Sequence, residues 1–315
     1  MPTGSLVHRS LSIALLLLIV MMTSSRTGHA DEGRIDFRLL YQAAQIANQA
    51  YGVRSEILGD YPNADKAWVS TPGNAEVQYV YLYSKQRNAQ VIAVRGTDND
   101  VNWELDKDTR GVMDQRSGIL LHSGFRTAAE AIYRDVRPRL RKDTKIYLTG
   151  HSLGGAVAAI LGIYLMNEQF DVAGIYTFGQ PKFTNAEGAR AYQRLPVLRV
   201  VYQNDVVATF PNETAGGNQH YAHIGPVVNL LHGPHYIYLD SDQALRFSQG
   251  SLGKYLMRIS VPDHKMKWYL QGLRDKLDNA VRVDPRDREK HIVRNKAGTG
   301  VETAPTKKHF NFNRH

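Results

Sequence analysis

The 315 residues have an ordinary globular composition, with 43% hydrophobic and 22% charged residues. This composition excludes a wholly disordered chain and allows a large buried core. The sequence contains no cysteine, which excludes disulfides, thiolate metal sites and cysteine nucleophiles. Most of the net charge of +9 lies in the two ends of the chain. The central part has no basic face with interleaved aromatic residues, so we expect no nucleic-acid partner.

The first thirty residues have the organisation of a signal peptide. His8 and Arg9 precede an apolar run over residues 11–22, and a small-residue site ends at Ala30. Crossing a bilayer takes about 20 apolar residues, and this run is shorter. We therefore expect cleavage after Ala30 and a secreted or periplasmic protein that is not integral to a membrane. The alternative is an uncleaved membrane anchor.

Helix and strand patterns alternate over residues 31–280, which we interpret as one domain. Strands that alternate with helices of 10–15 residues predict an α/β fold, with a mainly parallel sheet and helices on both faces. Residues 216–253 are less regular. Helices are predicted at 36–51, 125–140, 154–166, 186–195 and from Met266, and strands at 77–83, 90–94, 145–148, 172–177 and 197–202.

The end of the chain differs in composition from this domain. Residues 281–315 contain nine Lys and Arg against four Asp and Glu, with few apolar residues and several Gly and Pro. Such segments cannot bury enough apolar surface to form a core. We therefore predict a basic, flexible C-terminal tail from Val281 to His315.

The pentapeptide GHSLG at residues 150–154 carries the clearest chemical signal. A β-branched and aromatic run leads into it and an Ala-rich segment leads out, which predicts a strand, a sharp turn and a helix. This context exposes a serine hydroxyl at the sheet edge, with the helix N-terminus beneath a developing oxyanion. The sequence therefore predicts Ser152 as a nucleophile.

Further motifs accompany the pentapeptide: RGT at 95–97, a Trp103-x-x-Asp106 pair, HSGF at 122–125 and TFGQP at 177–181. With these motifs, in this order from about residue 90 to 270, the sequence resembles the class 3 (fungal-type) lipases. The resemblance implies the α/β-hydrolase fold and ester hydrolysis through an acyl-serine intermediate. It implies no cofactor.

A serine nucleophile needs a base and an orienting acid, which follow it in the order acid, then histidine, in α/β-hydrolases. Asp205 comes directly after the predicted strand 197–202, at the strand end where α/β sites assemble. His264 precedes the last predicted helix and matches the Asp-His pair of the class 3 lipases. We predict Asp205 and His264 as the partners of Ser152, with His223 as the alternative base.

The oxyanion hole is expected to use the N–H of Leu153, the residue after the nucleophile. By resemblance, Thr97 supplies its N–H and hydroxyl. The family's lid follows this position, but residues 98–103 are short and polar here. A lid that opens onto oil needs a broad apolar face, so strong interfacial activation is not expected.

Two H-x-x-H pairs, His220 with His223 and His232 with His235, raise the question of a metal site. Metal-binding pairs usually lie on a helix at i, i+4 or on a tight knuckle. These pairs lie on irregular or strand-like segments beside prolines, so we expect structural histidines and no metal.

The pattern as a whole predicts a serine carboxylic-ester hydrolase, a triacylglycerol or other acylglycerol lipase, with a lipid or ester substrate. A phospholipase A1 or a short-chain esterase is the alternative within this class. A non-catalytic binding protein on the same scaffold is the alternative from a different class.

Overall fold

The computed structural model describes residues 35–73, 77–96, 110–211, 214–216, 219–249 and 262–292. The predicted signal peptide and residues 293–315 lie outside these ranges. Within them, no helix has both the length and the hydropathy needed to span a bilayer. The α-helices are α1 (Phe37–Gln49), α2 (Arg54–Asp60), α3 (Ser123–Val136), α4 (Leu153–Asn167), α5 (Ala186–Ala191), α6 (Ser241–Gln249) and α7 (Met266–Arg274).

The strands of the described ranges form two sheets. The larger has nine strands in the order β1-β2-β3-β6-β7-β9-β12-β13-β14, and the smaller has the order β10-β11-β8-β5-β4. The strands are β1 (Lys66–Ser70), β2 (Tyr79–Ser84), β3 (Ala89–Val94), β4 (Gly111–Met113), β5 (Leu120–His122), β6 (Lys145–His151), β7 (Val172–Phe178), β8 (Thr184–Asn185), β9 (Val197–Tyr202), β10 (Thr214–Gly216), β11 (Gln219–Ala222), β12 (Val227–Leu230), β13 (His235–Leu239) and β14 (Val281–Arg282).

The centre of the nine-stranded sheet is parallel, as predicted. Strands β3, β6, β7, β9 and β12 run in the same direction. At one edge, β1 and β2 are antiparallel, and β13 turns back against β12 near the other. Parallel neighbours need crossover connections, and α4 supplies the one between β6 and β7.

Helices cover both faces of this sheet. On one face, α3 and α4 pack over a core that includes Ile92, Leu148 and Ile175. On the other, α1 and α7 pack through residues such as Ala47 and Leu273. This layering confirms the α/β architecture expected from the sequence.

Helix α1 shows how local sequence sets this packing. Its N-cap is Asp36, whose carboxylate accepts the N–H of Leu39 at 2.9 Å, an arrangement that satisfies one of the free donors of the helix start. Leu40, Ala44 and Ala47 recur at helical spacing and are buried. The small alanines let the helix lie close to the sheet beside the ends of β6 and β7.

The carboxyl ends of the four central strands lie side by side. Val94 of β3 pairs with Gly150 of β6, Gly150 pairs with Thr177 of β7, and Phe178 pairs with Val200 of β9. Ligands of open α/β sheets bind outside such an edge. Ser152 directly follows β6 and Asp205 follows β9, so these two predicted site residues lie at this edge.

The prediction of a flexible tail from Val281 is wrong for residues 281–292. Strand β14 pairs in parallel with β13, and a 3₁₀-helix follows over Pro285–His291. The Arg288 guanidinium donates to the Gln203 main-chain oxygen at 2.7 Å and to Asn204 Oδ1 at 2.8 Å. The pairing with β14 satisfies backbone groups at the edge of β13 that would otherwise be open. The charge composition of the segment does not predict this pairing.

Candidate active site

Ser152 lies on the sharp turn between β6 and α4. Its backbone has φ 57° and ψ −134°, a conformation that non-glycine residues rarely adopt. Its N–H donates to the main-chain oxygen of Phe178 at 2.9 Å. A Cβ at Gly150 would overlap the backbone of Gly154, and one at Gly154 would overlap the backbone of Val94. The two glycines therefore permit the turn that places the serine above the sheet edge.

Leu153, one of the two predicted oxyanion residues, directly follows this turn. Leu153 is the first residue of α4, so its N–H is among those at the helix start that have no intrahelical partner. Thr97 lies outside the described residues. Gly96, just before it, is described: a Cβ there would lie 3.1 Å from the Ser152 Cβ. The end of β3 therefore passes directly against Ser152.

Asp205 and His264 are in direct contact. The Nδ1 of His264 lies 2.8 Å from Asp205 Oδ2, and both side chains are buried. Asp205 follows β9, and its Oδ1 accepts the N–H of Val207 at 2.9 Å. Gly179, at φ 57°, makes room for the pair, because a Cβ there would lie 2.7 Å from Asp205 Oδ2 and 2.9 Å from His264 Nδ1. The carboxylate is therefore fixed in place and accepts from the imidazole.

Tyr269 is a site residue that sequence analysis missed. It lies on α7, and its hydroxyl donates to Asp205 Oδ2. Burial raises the pKa of Tyr269 well above its usual value, and the neighbouring Asp205 raises it further, so the hydroxyl stays protonated. The only signal in the sequence was the aromatic pair at the start of the last helix.

His151 is a second residue that was missed, although it lies inside the GHSLG motif. Its ring stacks on that of His264, with ring centroids 4.5 Å apart. Its Nε2 is 2.7 Å from the main-chain oxygen of His264, and its Nδ1 is 2.8 Å from the hydroxyl of Tyr51. The predicted base therefore lies beside the residue that precedes the predicted nucleophile.

His223, the alternative base, lies elsewhere. Its Nε2 is 2.8 Å from the main-chain oxygen of Ala208, and the ring is buried. Burial lowers the pKa of His223 well below its usual value, and the positive charges of Arg199 and Lys182 lower it further. The imidazole that faces a carboxylate is that of His264.

The other predicted histidine pair is also held by local contacts. The Nδ1 of His235 lies 3.1 Å from the main-chain oxygen of His232, and its ring lies against that of His291 with centroids 4.0 Å apart. Within the described ranges, no three His, Asp or Glu side chains come together as a group that could hold a metal ion.

Comparison with known proteins identifies relatives by sequence. Residues 91–215 match the family model of the class 3 lipases. The chain is 28% identical over 217 residues to the triacylglycerol lipase OBL1 of Nicotiana tabacum, covering 62% of this chain and 38% of that protein. It is 31% identical over 165 residues to the secreted mono- and diacylglycerol lipase 1 of Fusarium solani, covering 50% and 47%. The chain spans less than half the length of these curated relatives.

Solved structures show the same architecture. Lipase II from Rhizopus niveus superposes with a TM-score of 0.59 at 22% identity, over 72% of this chain and 92% of that one. The Lip2 lipase of Yarrowia lipolytica gives a TM-score of 0.56 at 20% identity, over 74% and 93%. These similarities confirm the predicted α/β-hydrolase fold.

Proposed function

We propose that the chain is a serine ester hydrolase acting on acylglycerols, because residues 91–215 match the family model of the class 3 lipases and the relatives found by sequence are lipases. The observation that carries the proposal is the buried contact between His264 and Asp205 beside the strained turn at Ser152. A carboxylate that accepts from Nδ1 fixes the imidazole tautomer and leaves Nε2 as the basic nitrogen.

In the first half of the reaction, the Ser152 hydroxyl attacks the ester carbonyl carbon while His264 takes its proton. Asp205 stabilises the imidazolium that forms. The N–H of Leu153 and the N–H and hydroxyl of Thr97 donate to the oxyanion of the tetrahedral intermediate. The carbon–oxygen bond to the alcohol then breaks, and the imidazolium of His264 protonates the leaving alcohol.

In the second half, the acyl group is bound to Ser152 as an ester. His264 takes a proton from a water molecule, which attacks the acyl carbon and forms a second tetrahedral intermediate. Its collapse releases the fatty acid and returns the proton to Ser152. Every proton transfer uses the same imidazole, and the chemistry requires no cofactor.

We propose an acylglycerol as the substrate, met at a lipid–water interface. The support is chemical and comparative: the site attacks a carboxylic ester, and the relatives in tobacco and Fusarium solani carry the names of tri-, di- and monoacylglycerol lipases. We also propose export with cleavage after Ala30. This rests on the N-terminal pattern and on the description of the Fusarium solani relative as secreted.

The test is hydrolysis of p-nitrophenyl esters from acetate to palmitate and of emulsified mono-, di- and triacylglycerols. The wild type is measured beside Ser152→Ala and a control, Ser84→Ala, which removes a buried serine of β2. We expect Ser152→Ala to lose about 10⁶-fold in kcat, as nucleophile deletion does in serine proteases. Labelling by a fluorophosphonate should follow the same pattern.

The outcomes separate the alternatives. Turnover that rises with chain length and in emulsions supports a lipase, and preference for soluble short esters supports an esterase. Preferential release of one fatty acid from phosphatidylcholine vesicles supports a phospholipase A1. A folded wild type that neither hydrolyses an ester nor reacts with the fluorophosphonate overturns the proposal in favour of a binding protein.

A further inference from the structure

His151 is a buried side chain that the proposed reaction leaves without a role. It is 2% exposed, and both of its ring nitrogens have polar neighbours within 2.8 Å. One neighbour is the main-chain oxygen of His264, which can only accept, so Nε2 of His151 carries the hydrogen. Nδ1 then accepts the hydroxyl of Tyr51. The two contacts together fix one tautomer and one orientation of the ring.

The ring of His151 also forms part of the surroundings of the base. It lies 30° from parallel to the ring of His264, with centroids 4.5 Å apart, and it meets the ring of Tyr269 edge-on at 5.7 Å. His264 is thus held at Nδ1 by Asp205, at its main-chain oxygen by His151, and across one ring face by the same side chain.

Tyr51 connects this arrangement to the other side of the site. It follows α1, and its hydroxyl reaches Nδ1 of His151. The same hydroxyl lies so close to Gly96 that a Cβ there would overlap it. Gly96 precedes Thr97, the proposed oxyanion donor. One phenol therefore contacts both the strand end beside the oxyanion hole and the imidazole that supports the base.

We propose that His151, oriented by Tyr51, is a positioning residue for His264. The inference rests on the ester hydrolysis proposed above and goes beyond it, because it assigns a task to the motif residue before the nucleophile. His151 holds the main chain of His264 through its Nε2–H and presents an uncharged ring to the imidazole that gains a proton. The turn that strains Ser152 therefore also positions His151, which supports His264.

The electrostatics agree with this task. Burial lowers the pKa of His151 well below its usual value, and the neighbouring His264 lowers it further. His151 therefore stays neutral when His264 becomes an imidazolium. A second positive charge at 4.5 Å would oppose that step, and protonation of Nδ1 would also remove the acceptor that Tyr51 uses.

The test uses substitutions that separate hydrogen bonding from bulk. His151→Leu removes both hydrogen bonds, whereas His151→Gln keeps an amide that can donate to the His264 oxygen and accept from Tyr51. Tyr51→Phe removes the hydrogen bond to Nδ1 of His151. The control is Tyr164→Phe on α4, where another buried hydroxyl donates to a carboxylate, Asp114 Oδ1 at 3.0 Å. Turnover of a p-nitrophenyl ester is expressed per fluorophosphonate-reactive site, so unfolded protein does not count.

We expect kcat to fall about 100-fold in His151→Leu and about 10-fold in Tyr51→Phe, because each lost hydrogen bond loosens the base in the transition state. KM should stay within about twofold, because substrate binding is not the step affected. His151→Gln should recover most of the loss, and Tyr164→Phe should match the wild type.

Two results would overturn the inference while the proposed function stands. One is an active wild type with His151→Leu and Tyr51→Phe both within twofold of Tyr164→Phe. The other is His151→Gln falling as far as His151→Leu, which would mean that the ring's shape alone matters. If His151→Leu does not fold, Tyr51→Phe and His151→Gln decide the question. A wild type without esterase activity or labelling overturns the proposed function itself, and this inference with it.

Discussion

Two buried histidines follow Asp205 within the part of the chain that the structure describes, and their surroundings carry opposite charge. The imidazole of His264 faces a carboxylate at 2.8 Å, and that of His223 lies in the field of Arg199 and Lys182. Burial alone disfavours an imidazolium at either place. A neighbouring carboxylate offsets this penalty, whereas neighbouring cations add to it. Burial and sequence order therefore do not define a base; the sign of the adjacent charge does.

The surroundings of His223 are unusual in their own right. Arg199 is buried, and its guanidinium donates to the Gly225 main-chain oxygen at 3.4 Å. Burial lowers the pKa of Arg199 and lowers that of Lys182 to about 8. Within the described ranges, no carboxylate lies within ion-pair distance of Arg199 or Lys182. A proton that reached His223 would be a third positive charge in this cluster.

Substituting each histidine in turn tests which of the two is the base. His264→Ala should lose about 10⁶-fold in kcat on p-nitrophenyl butyrate, as removal of a triad base does, and His223→Ala should stay within about tenfold of wild type once the folded fraction is matched. Steady-state kinetics with circular dichroism as the folding control provide the measurement. An active His264→Ala variant beside an inactive His223→Ala variant would reverse our assignment.

The second prediction concerns the carboxylate of Asp205. Asp205→Asn keeps the shape of the acid but takes away its charge, so His264 can adopt the wrong tautomer and its imidazolium loses support. We expect kcat to fall about 10⁴-fold with little change in KM. The control is Asp114→Asn, which removes a buried carboxylate that contacts Tyr164. Equal losses in the two variants would show a structural effect only.

The hydroxyl of Tyr269 donates to the same Asp205 oxygen as His264. Tyr269→Phe should lower kcat about tenfold, the size expected for one hydrogen bond to a charged group. Tyr164→Phe should leave kcat unchanged. It should lower the free energy of unfolding about as much as Tyr269→Phe does. Parallel kinetics and thermal unfolding distinguish an effect on the acid from an effect on packing.

The smallest expected effect concerns stability and pH. The folded state lowers the pKa of His223 below the unfolded value of 6.5, so below that pH the unfolded chain binds more protons than the folded one. The free energy of unfolding should therefore fall as the pH is lowered below 6.5, by up to about 1.4 kcal/mol per pH unit for each such histidine. His223→Gln should reduce this slope in urea unfolding between pH 6.5 and 5. The exposed His220→Gln is the control and should leave the slope as it is.

The parts that sequence analysis predicted are those that depend on local pattern. Ser152 is predicted as the nucleophile because a strand, a glycine-flanked turn and a helix are adjacent in the chain. Asp205 was predicted because acids of this fold follow strand ends. His264 required a choice among several histidines, and the order of the triad together with the family pattern guided it.

The parts that were missed depend on contacts between distant segments. Tyr51 lies 100 residues from His151, and His151 lies 113 residues from His264. No periodicity or local motif connects positions so far apart. Strand β14 was missed for the same reason, because its partner β13 lies more than forty residues earlier in the chain. The composition of residues 281–315 shows their positive charge but does not show that β14 forms hydrogen bonds with β13.

The backbone of Ser152 has a consequence for how such a chain changes over generations. At φ 57° and ψ −134°, glycine is the residue that would relax the turn, and strain of this kind costs about 1–3 kcal/mol. A Ser152→Gly variant should therefore unfold at a higher temperature than the wild type and hydrolyse nothing. In a library of variants at position 152 that is screened for folding alone, glycine should be enriched. Under the proposed function, selection for turnover opposes that exchange and retains the serine.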